Sequence, residues 1–188
     1  MVDSLDKYIV CVENVVPHDL CDAILKEYDS NAEWEKARIG ASNRIDTKVR
    51  NLTGINISNN DTKIKNPEIR NNLDLALFQS AGRAIQGYQK VFEKCNIEED
   101  TGYDLLRYKT GEFYKEHVDH FKAFPRTVSC SFSLNSEYEG GEFSFFNNQL
   151  KVRVDKGSAI MFPSNFMYPH QILPVTSGVR YSIVTWFR

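Results

Sequence analysis

The chain of 188 residues carries 23 basic and 25 acidic side chains, a net charge of −2 that gives no basic field for nucleic acid. No apolar run reaches the length of a membrane span, and acidic residues stand near the N-terminus where a secretory leader needs basic ones, so a cytoplasmic protein is expected. The length suits one domain, residues 1–188, with a core that needs no staples. The scattered Cys11, Cys21, Cys95 and Cys130 form no CxxC pair, which argues against a cysteine zinc site and for reduced thiols packed as small hydrophobes.

In chain order, the β-branched run Tyr8 to Val16 predicts a strand that Pro17 ends. Residues 18–28 predict a short helix with Leu20, Ile24 and Leu25 on one side. Residues 33–66 are polar, with strand-like pieces around VRNLTGINI, and the 39–66 stretch is expected to be a mobile lid, as long irregular segments often are. Asn66-Pro67 is a helix entry. After it, Ile69, Leu73, Leu77, Ala81, Ala84, Tyr88, Val91 and Cys95 recur at steps of three and four, which predicts a helix over about 67–94. Gly82 and Gly87 either weaken that helix or let a neighbour approach.

From Tyr103 onward short strands alternate with turns, near 103–109, 117–121, 127–135, 141–146, 149–154, 157–162, 170–174 and 179–187, with Asn147-Asn148 as a hairpin turn. The pattern predicts a mainly β jelly roll over 103–188, with the long helix covering one outer face and 1–102 as support and substrate loop. In TVSCSFSLN, Val128, Cys130, Phe132 and Leu134 alternate with Thr127, Ser129, Ser131 and Ser133. Two readings stand: an edge strand with a wet outer face, or an apolar face on the helix with serines lining a polar interior.

The chemistry-bearing residues are His117-x-Asp119, His170 and Arg180. Residues two apart on an extended strand share a face, so His117 and Asp119 converge if 117–121 is a strand. His170, brought across by the roll, is the third member. Two imidazoles and one carboxylate on a triangular face leave the opposite face open, the arrangement of non-haem Fe(II) sites that bind a cosubstrate and O2 together. Zinc hydrolysis is a conceivable use of the same trio but leaves Arg180 unexplained. Arg180, Ser182, Val184 and Trp186 share one face of the last strand, and an inward arginine calls for an anion such as a carboxylate. Trp186 has two uses, as a wall of the site or as core. His18 and His120 read as surface or satisfied residues.

These residues, with Tyr108, Gly111, Tyr114, Leu134-Asn135, Gly140-Gly141-Glu142-Phe143, Phe162-Pro163-Ser164 and the 174–178 segment PVTSG, resemble the Fe(II)- and 2-oxoglutarate-dependent dioxygenases of the prolyl 4-hydroxylase-like branch. The resemblance covers about residues 103–188. It implies a double-stranded β-helix with iron on His117, Asp119 and His170. Arg180 is then paired with the distal carboxylate of 2-oxoglutarate, and Tyr108 donates to that carboxylate from the opposite wall. Phe143, Trp186 and Ser133 belong to the same cosubstrate wall, Ser133 standing where relatives often carry tyrosine. It implies O2 as oxidant, ascorbate as an accessory reductant, release of succinate and CO2, and hydroxylation of a C–H bond. A prolyl residue in a peptide or protein is the leading substrate, with Arg50 as a substrate contact. Another side chain, a free amino acid or a small metabolite is the alternative, ahead of nucleic-acid demethylation or a silent binding module.

Overall fold

The computed structural model describes residues 4–29, 33–40, 43–58, 66–97 and 99–188. After a 3-10 turn at Leu5–Tyr8, the first half of the chain forms β1 (Val10–Val12), α1 (His18–Tyr28), β2 (Glu35–Lys36), β3 (Arg50–Asn51), β4 (Thr53–Asn56) and α2 (Pro67–Val91). The second half is all strand: β5 (Asp104–Lys109), β6 (Phe113–His117), β7 (Val128–Ser133), β8 (Tyr138–Gly140), β9 (Phe143–Phe145), β10 (Leu150–Val152), β11 (Ala159–Pro163), β12 (His170–Ile172) and β13 (Val175–Phe187). They make two sheets: one of eight strands, ordered β1-β11-β7-β13-β5-β4-β2 with β8 beside β13, and one of five, ordered β10-β9-β12-β6-β3. All pairings are antiparallel, and the two sheets form the expected jelly roll.

Helix α2 begins where the sequence predicts. The Asn66 side chain accepts from the backbone N–H of Glu68 and Ile69, and Pro67 follows at the first turn, a cap that contributes about 1 kcal/mol over alanine. Its buried residues Leu73, Leu77, Ala81, Ala84 and Tyr88 lie on one stripe. That stripe shares one buried cluster with Val128, Cys130 and Phe132 of β7, and α2 lies against β1 and β11, so the helix covers the outer face of the larger sheet. At Gly87 an added Cβ would sit 2.6 Å from a Val12 methyl, so the glycine serves close approach of α2 to β1.

Alternation decides what faces inward. On β11, Ala159 and Met161 join the helix-side core, while Ile160 and Phe162 join a second core inside the roll with Leu52, Leu106 and Phe145. Each such large side chain contributes roughly 1.5–3 kcal/mol of burial. The same rule settles β7: it lies between β11 and β13, and every residue from Val128 to Ser133 is buried. It is therefore no wet edge, and its serines face the interior.

Several expectations are corrected. The first strand is shorter than 8–16, because Leu5–Tyr8 winds into a 3-10 turn and Glu13 and Asn14 leave the extended form, Asn14 at φ 54°. The last strand is longer, starting at Val175, because β8 pairs with its N-terminal end. Of the 39–66 stretch expected to be a lid, Arg50–Asn51 and Thr53–Asn56 are strands built into the two sheets, while 41–42 and 59–65 lie outside the described residues. The first half of the chain thus supplies β1, β2 and β4 to the larger sheet and β3 to the smaller, so the roll is not confined to 103–188. The hairpin at Asn147-Asn148 is present, with Phe146, Asn147 and Asn148 all at positive φ (54°, 55° and 68°), a conformation asparagine tolerates.

Candidate active site

Two strands distant in sequence bring the histidines together. β6 and β12 are neighbours in the smaller sheet, and His170 is the direct cross-strand partner of His117, with ring centroids 4.3 Å apart. Asp119 joins them by a route other than strand alternation. β6 ends at His117, and the chain turns so that the carboxylate folds back, Oδ1 lying 3.5 Å from His117 Nε2 and Oδ2 lying 3.7 Å from His170 Nε2. Each Nδ1 faces a carbonyl, His117 that of Lys115 at 2.8 Å and His170 that of Tyr168 at 3.1 Å. A carbonyl only accepts, so both Nδ1 atoms donate and the Nε2 lone pairs point at the common centre.

Electrostatics keep His170 and Asp119 in their ligating forms. Burial, reinforced by the neighbouring His117, pushes the His170 imidazole down to about 4 against the opposing pull of Asp119, so it is neutral at pH 7. Burial lifts the Asp119 carboxyl, but His170, His117 and the Ser129 hydroxyl together outweigh it and hold the group well below the ordinary carboxylate range. Ser129 Oγ donates to Asp119 Oδ2 at 2.7 Å and is itself 2.8 Å from Ser164 Oγ. This orienting hydroxyl, on β7 across the roll, was not singled out in the sequence. The serine alternation was its signal, but which serine meets the carboxylate depends on how the two sheets face each other.

The donor set fits a divalent metal. The three ligand atoms lie within 4.8 Å of one another. Metal–ligand bonds of about 2.1 Å at right angles separate donors by about 3 Å, so small side-chain adjustments suffice. Tyr114 stacks on His117 at 3.6 Å between centroids and stiffens that ring.

The cavity beside the trio is lined by Tyr108, Phe143, Arg180, Ser182, Trp186 and Arg50, among others. Arg180 is 3% exposed, and its Nη1 donates to Ser182 Oγ at 2.9 Å. Among the described residues no carboxylate pairs with it. Its guanidinium carbon lies 5.0 Å from the Tyr108 ring and 5.4 Å from the Phe143 ring. A buried cation held by ring faces and one hydroxyl is suited to an anion such as a carboxylate. Phe143 spans the space to the metal trio, its ring 6.3 Å from that of His170.

Two placements differ from expectation. Tyr108 is the cross-strand partner of Arg180 on adjacent β5, so it stands beside the guanidinium and not on the opposite wall. Burial raises its phenol, against the charges of Arg180 and Arg50, and keeps it a donor. Ser133 is buried but absent from the cavity lining, because its Oγ donates to the Asn135 carbonyl at 3.1 Å. Arg50 does reach the cavity, and the Trp186 ring walls it under the Arg126 guanidinium, 3.4 Å away. The remaining histidines are satisfied by backbone: His18 Nε2 lies 3.1 Å from the Lys156 carbonyl and His120 Nδ1 lies 2.9 Å from that of Arg126. The four thiols are unpaired, Cys21 and Cys130 buried. No helix among the described residues is long and apolar enough to cross a membrane.

Residues 103–188 match the family model described as the 2OG-Fe(II) oxygenase superfamily. The chain is 34% identical over 113 residues to a PKHD-type hydroxylase of Alteromonas mediterranea, a match that covers 53% of this chain and 45% of that protein. It spans about half the length of the curated relatives it matches. Among solved structures, a prolyl hydroxylase from Trichoplax adhaerens, in complex with a peptide fragment of the hypoxia inducible factor oxygen degradation domain, gives a TM-score of 0.72 at 18% identity. That match covers 96% of this chain and 83% of that one. A Pseudomonas putida prolyl-4-hydroxylase gives 0.68 at 22% identity, covering 96% and 92%. At these identities the likeness is one of fold.

Proposed function

We propose, from the premise that this chain belongs to the 2OG-Fe(II) oxygenase superfamily and to its prolyl 4-hydroxylase-like branch, that it hydroxylates a prolyl residue in a peptide or protein and releases succinate and CO2. One observation carries the reading: three metal-ligating atoms converge within 4.8 Å beside a buried arginine that no described carboxylate pairs with.

His117, Asp119 and His170 would hold Fe(II), and Arg180, with Ser182 and the Tyr108 phenol beside it, would hold the distal carboxylate of 2-oxoglutarate. Iron, when bound with 2-oxoglutarate and O2, supplies the oxidising chemistry in which one oxygen atom goes to succinate and the other to the substrate C–H bond. The protein's own part is orientation. The Lys115 and Tyr168 carbonyls fix both imidazole tautomers, and Ser129 fixes the carboxylate. Leu106, Phe143, Phe162 and Ile172 keep the inner cavity apolar, so the acid end of the cosubstrate finds Arg180 as its partner with little competing water.

The peptide part of the proposal is supported by the Trichoplax relative, whose structure holds a peptide, and by the open groove outside the trio. It is tested by incubating the protein with iron, ascorbate, 2-oxoglutarate and a proline-rich peptide array. A gain of one oxygen on a prolyl residue, matched by succinate, is the expected result. Oxygen gained only on a free amino acid or another side chain would replace the prolyl substrate and keep the chemistry.

Gly141 becomes a positioning residue on this reading. It sits at φ +68°, and an added Cβ would lie 2.9 Å from Arg180 Cδ and 3.0 Å from a Val175 methyl. Gly141→Ala therefore strains the backbone by roughly 1–2 kcal/mol and displaces the arginine stem. In steady-state assays the KM for 2-oxoglutarate should rise about tenfold with kcat changed far less. An unchanged KM would show that the stem has room to move.

A further inference from the structure

Outside the trio the cavity opens into a groove of about 450 Å³ that shares Arg50, Tyr114, His117, Asp119 and Trp186 with it, so the groove borders the trio directly. Three guanidiniums border it, Arg38, Arg50 and Arg126. Among the described residues none of the three has an acidic partner at ion-pair distance. Their hydrogen bonds go to backbone carbonyls: Arg38 Nη1 to Asn43 at 3.0 Å, Arg50 Nη1 to Arg38 at 2.6 Å, and Arg126 Nη1 to Asp119 at 3.1 Å. Aromatic faces hold two of them in place. Arg50 lies 4.7 Å over Tyr114, and Arg126 lies 3.4 Å over Trp186 and 5.0 Å over Phe121. The Arg50 Nε is buried and makes no hydrogen bond.

Arg44, Arg107 and Arg188 do find acids, in Asp46, Asp29 and Glu99, whereas Arg83 and Arg153, away from the groove, bond to carbonyls and a hydroxyl. The groove carries two acids of its own. Asp119 belongs to the trio, and Asp104, whose charge also acts on Arg50 and Arg126, accepts from Asn56 Nδ2 at 2.7 Å. Three guanidiniums against two carboxylates, one of them turned into the trio, leave a local excess of positive charge at the site's entrance in a chain of net charge −2.

We infer that the groove selects a peptide substrate with aspartate or glutamate residues flanking the residue to be oxidised, the carboxylates meeting the unpaired guanidiniums of Arg38, Arg50 and Arg126. Held rings and held carbonyl contacts leave planar N–H forks oriented before the ligand arrives, which suits carboxylate oxygens. The inference rests on the proposed peptide hydroxylase reading and deepens it.

The test measures binding apart from turnover. Labelled proline peptides flanked by Asp and Glu, by their Asn and Gln isosteres, or by Lys are titrated with protein loaded with 2-oxoglutarate and Mn(II), and anisotropy is read. The acidic peptide should bind about tenfold or more tightly than its amide isostere, with the gap shrinking as salt rises. Arg50→Gln and, separately, Arg38→Gln should each narrow the gap several-fold, with melting curves confirming that each variant is folded. Arg38 is exposed, so its variant keeps the test open if Arg50→Gln fails to fold. Equal binding of acidic and amide peptides by the wild type would overturn the inference. So would free glutamate displacing the acidic peptide as well as an unlabelled copy does, because the ligand would then be a small acid. The underlying reading has its own readout, consumption of 2-oxoglutarate by the iron-loaded wild type. Its failure leaves the binding comparison interpretable, and the reverse also holds.

Discussion

Asp119→Ala should lose metal-dependent turnover of 2-oxoglutarate by a factor on the order of 10³ or more, as happens when one member of a group acting as a unit is removed. The carboxylate is the only anion within reach of the two facing Nε2 atoms among the described residues, and two imidazoles alone bind a hard divalent ion weakly. Iron retained after anaerobic loading and desalting should fall with the activity. Ser129→Ala gives the graded companion: it removes the 2.7 Å hydrogen bond that aims the carboxylate and keeps all three ligands. Its metal affinity should drop by roughly 10–100-fold, the usual effect of losing an orienting partner. Wild-type iron retention in Asp119→Ala would show that the convergence of these side chains is structural, and the proposed chemistry would have to be abandoned. If Ser129→Ala matched Asp119→Ala in severity, the serine would be holding the loop as well as the carboxylate.

Much of the fold was legible in the sequence where its elements follow short-range patterns. The stripe from Leu73 to Tyr88 repeats at helical steps, and Asn66-Pro67 marks its start, so α2 and its buried face follow from local rules. What the sequence leaves open is register between distant strands. His117 and Asp119 do meet, yet through a turn after β6 and not through two like-facing positions of one strand. The pairing of His170 with His117, of Tyr108 with Arg180, and of Ser129 with Asp119 across the roll each depend on which strands become neighbours, and that depends on the whole topology. Ser133 illustrates the limit. It shares the alternation of Ser129 and Ser131, but at the end of β7 its hydroxyl turns to the local Asn135 carbonyl.

Arg180→Met should separate folding from function with opposite signs. In the wild type the guanidinium is 3% exposed, with ring faces and one serine hydroxyl as partners, so the free protein carries a buried cation whose desolvation is only partly offset. Methionine fills similar space with no charge, and the metal-free, ligand-free variant should melt at or above the wild-type temperature. The ligand response should reverse the order. Wild-type protein at a hundredfold excess of 2-oxoglutarate over its Kd gains about 2.7 kcal/mol of stability by mass action. The variant should gain almost none at the same concentration, since losing one partner of a buried charge pair costs about 2–5 kcal/mol of binding. The KM for 2-oxoglutarate should rise about thirtyfold or more for the same reason. A variant that melts lower without ligand and is stabilised normally by 2-oxoglutarate would mean that Arg180 is a strut of β13, and the acid would have to be held elsewhere. The two melting curves, read side by side, therefore decide whether the cation serves the fold or the binding of the cosubstrate's carboxylate.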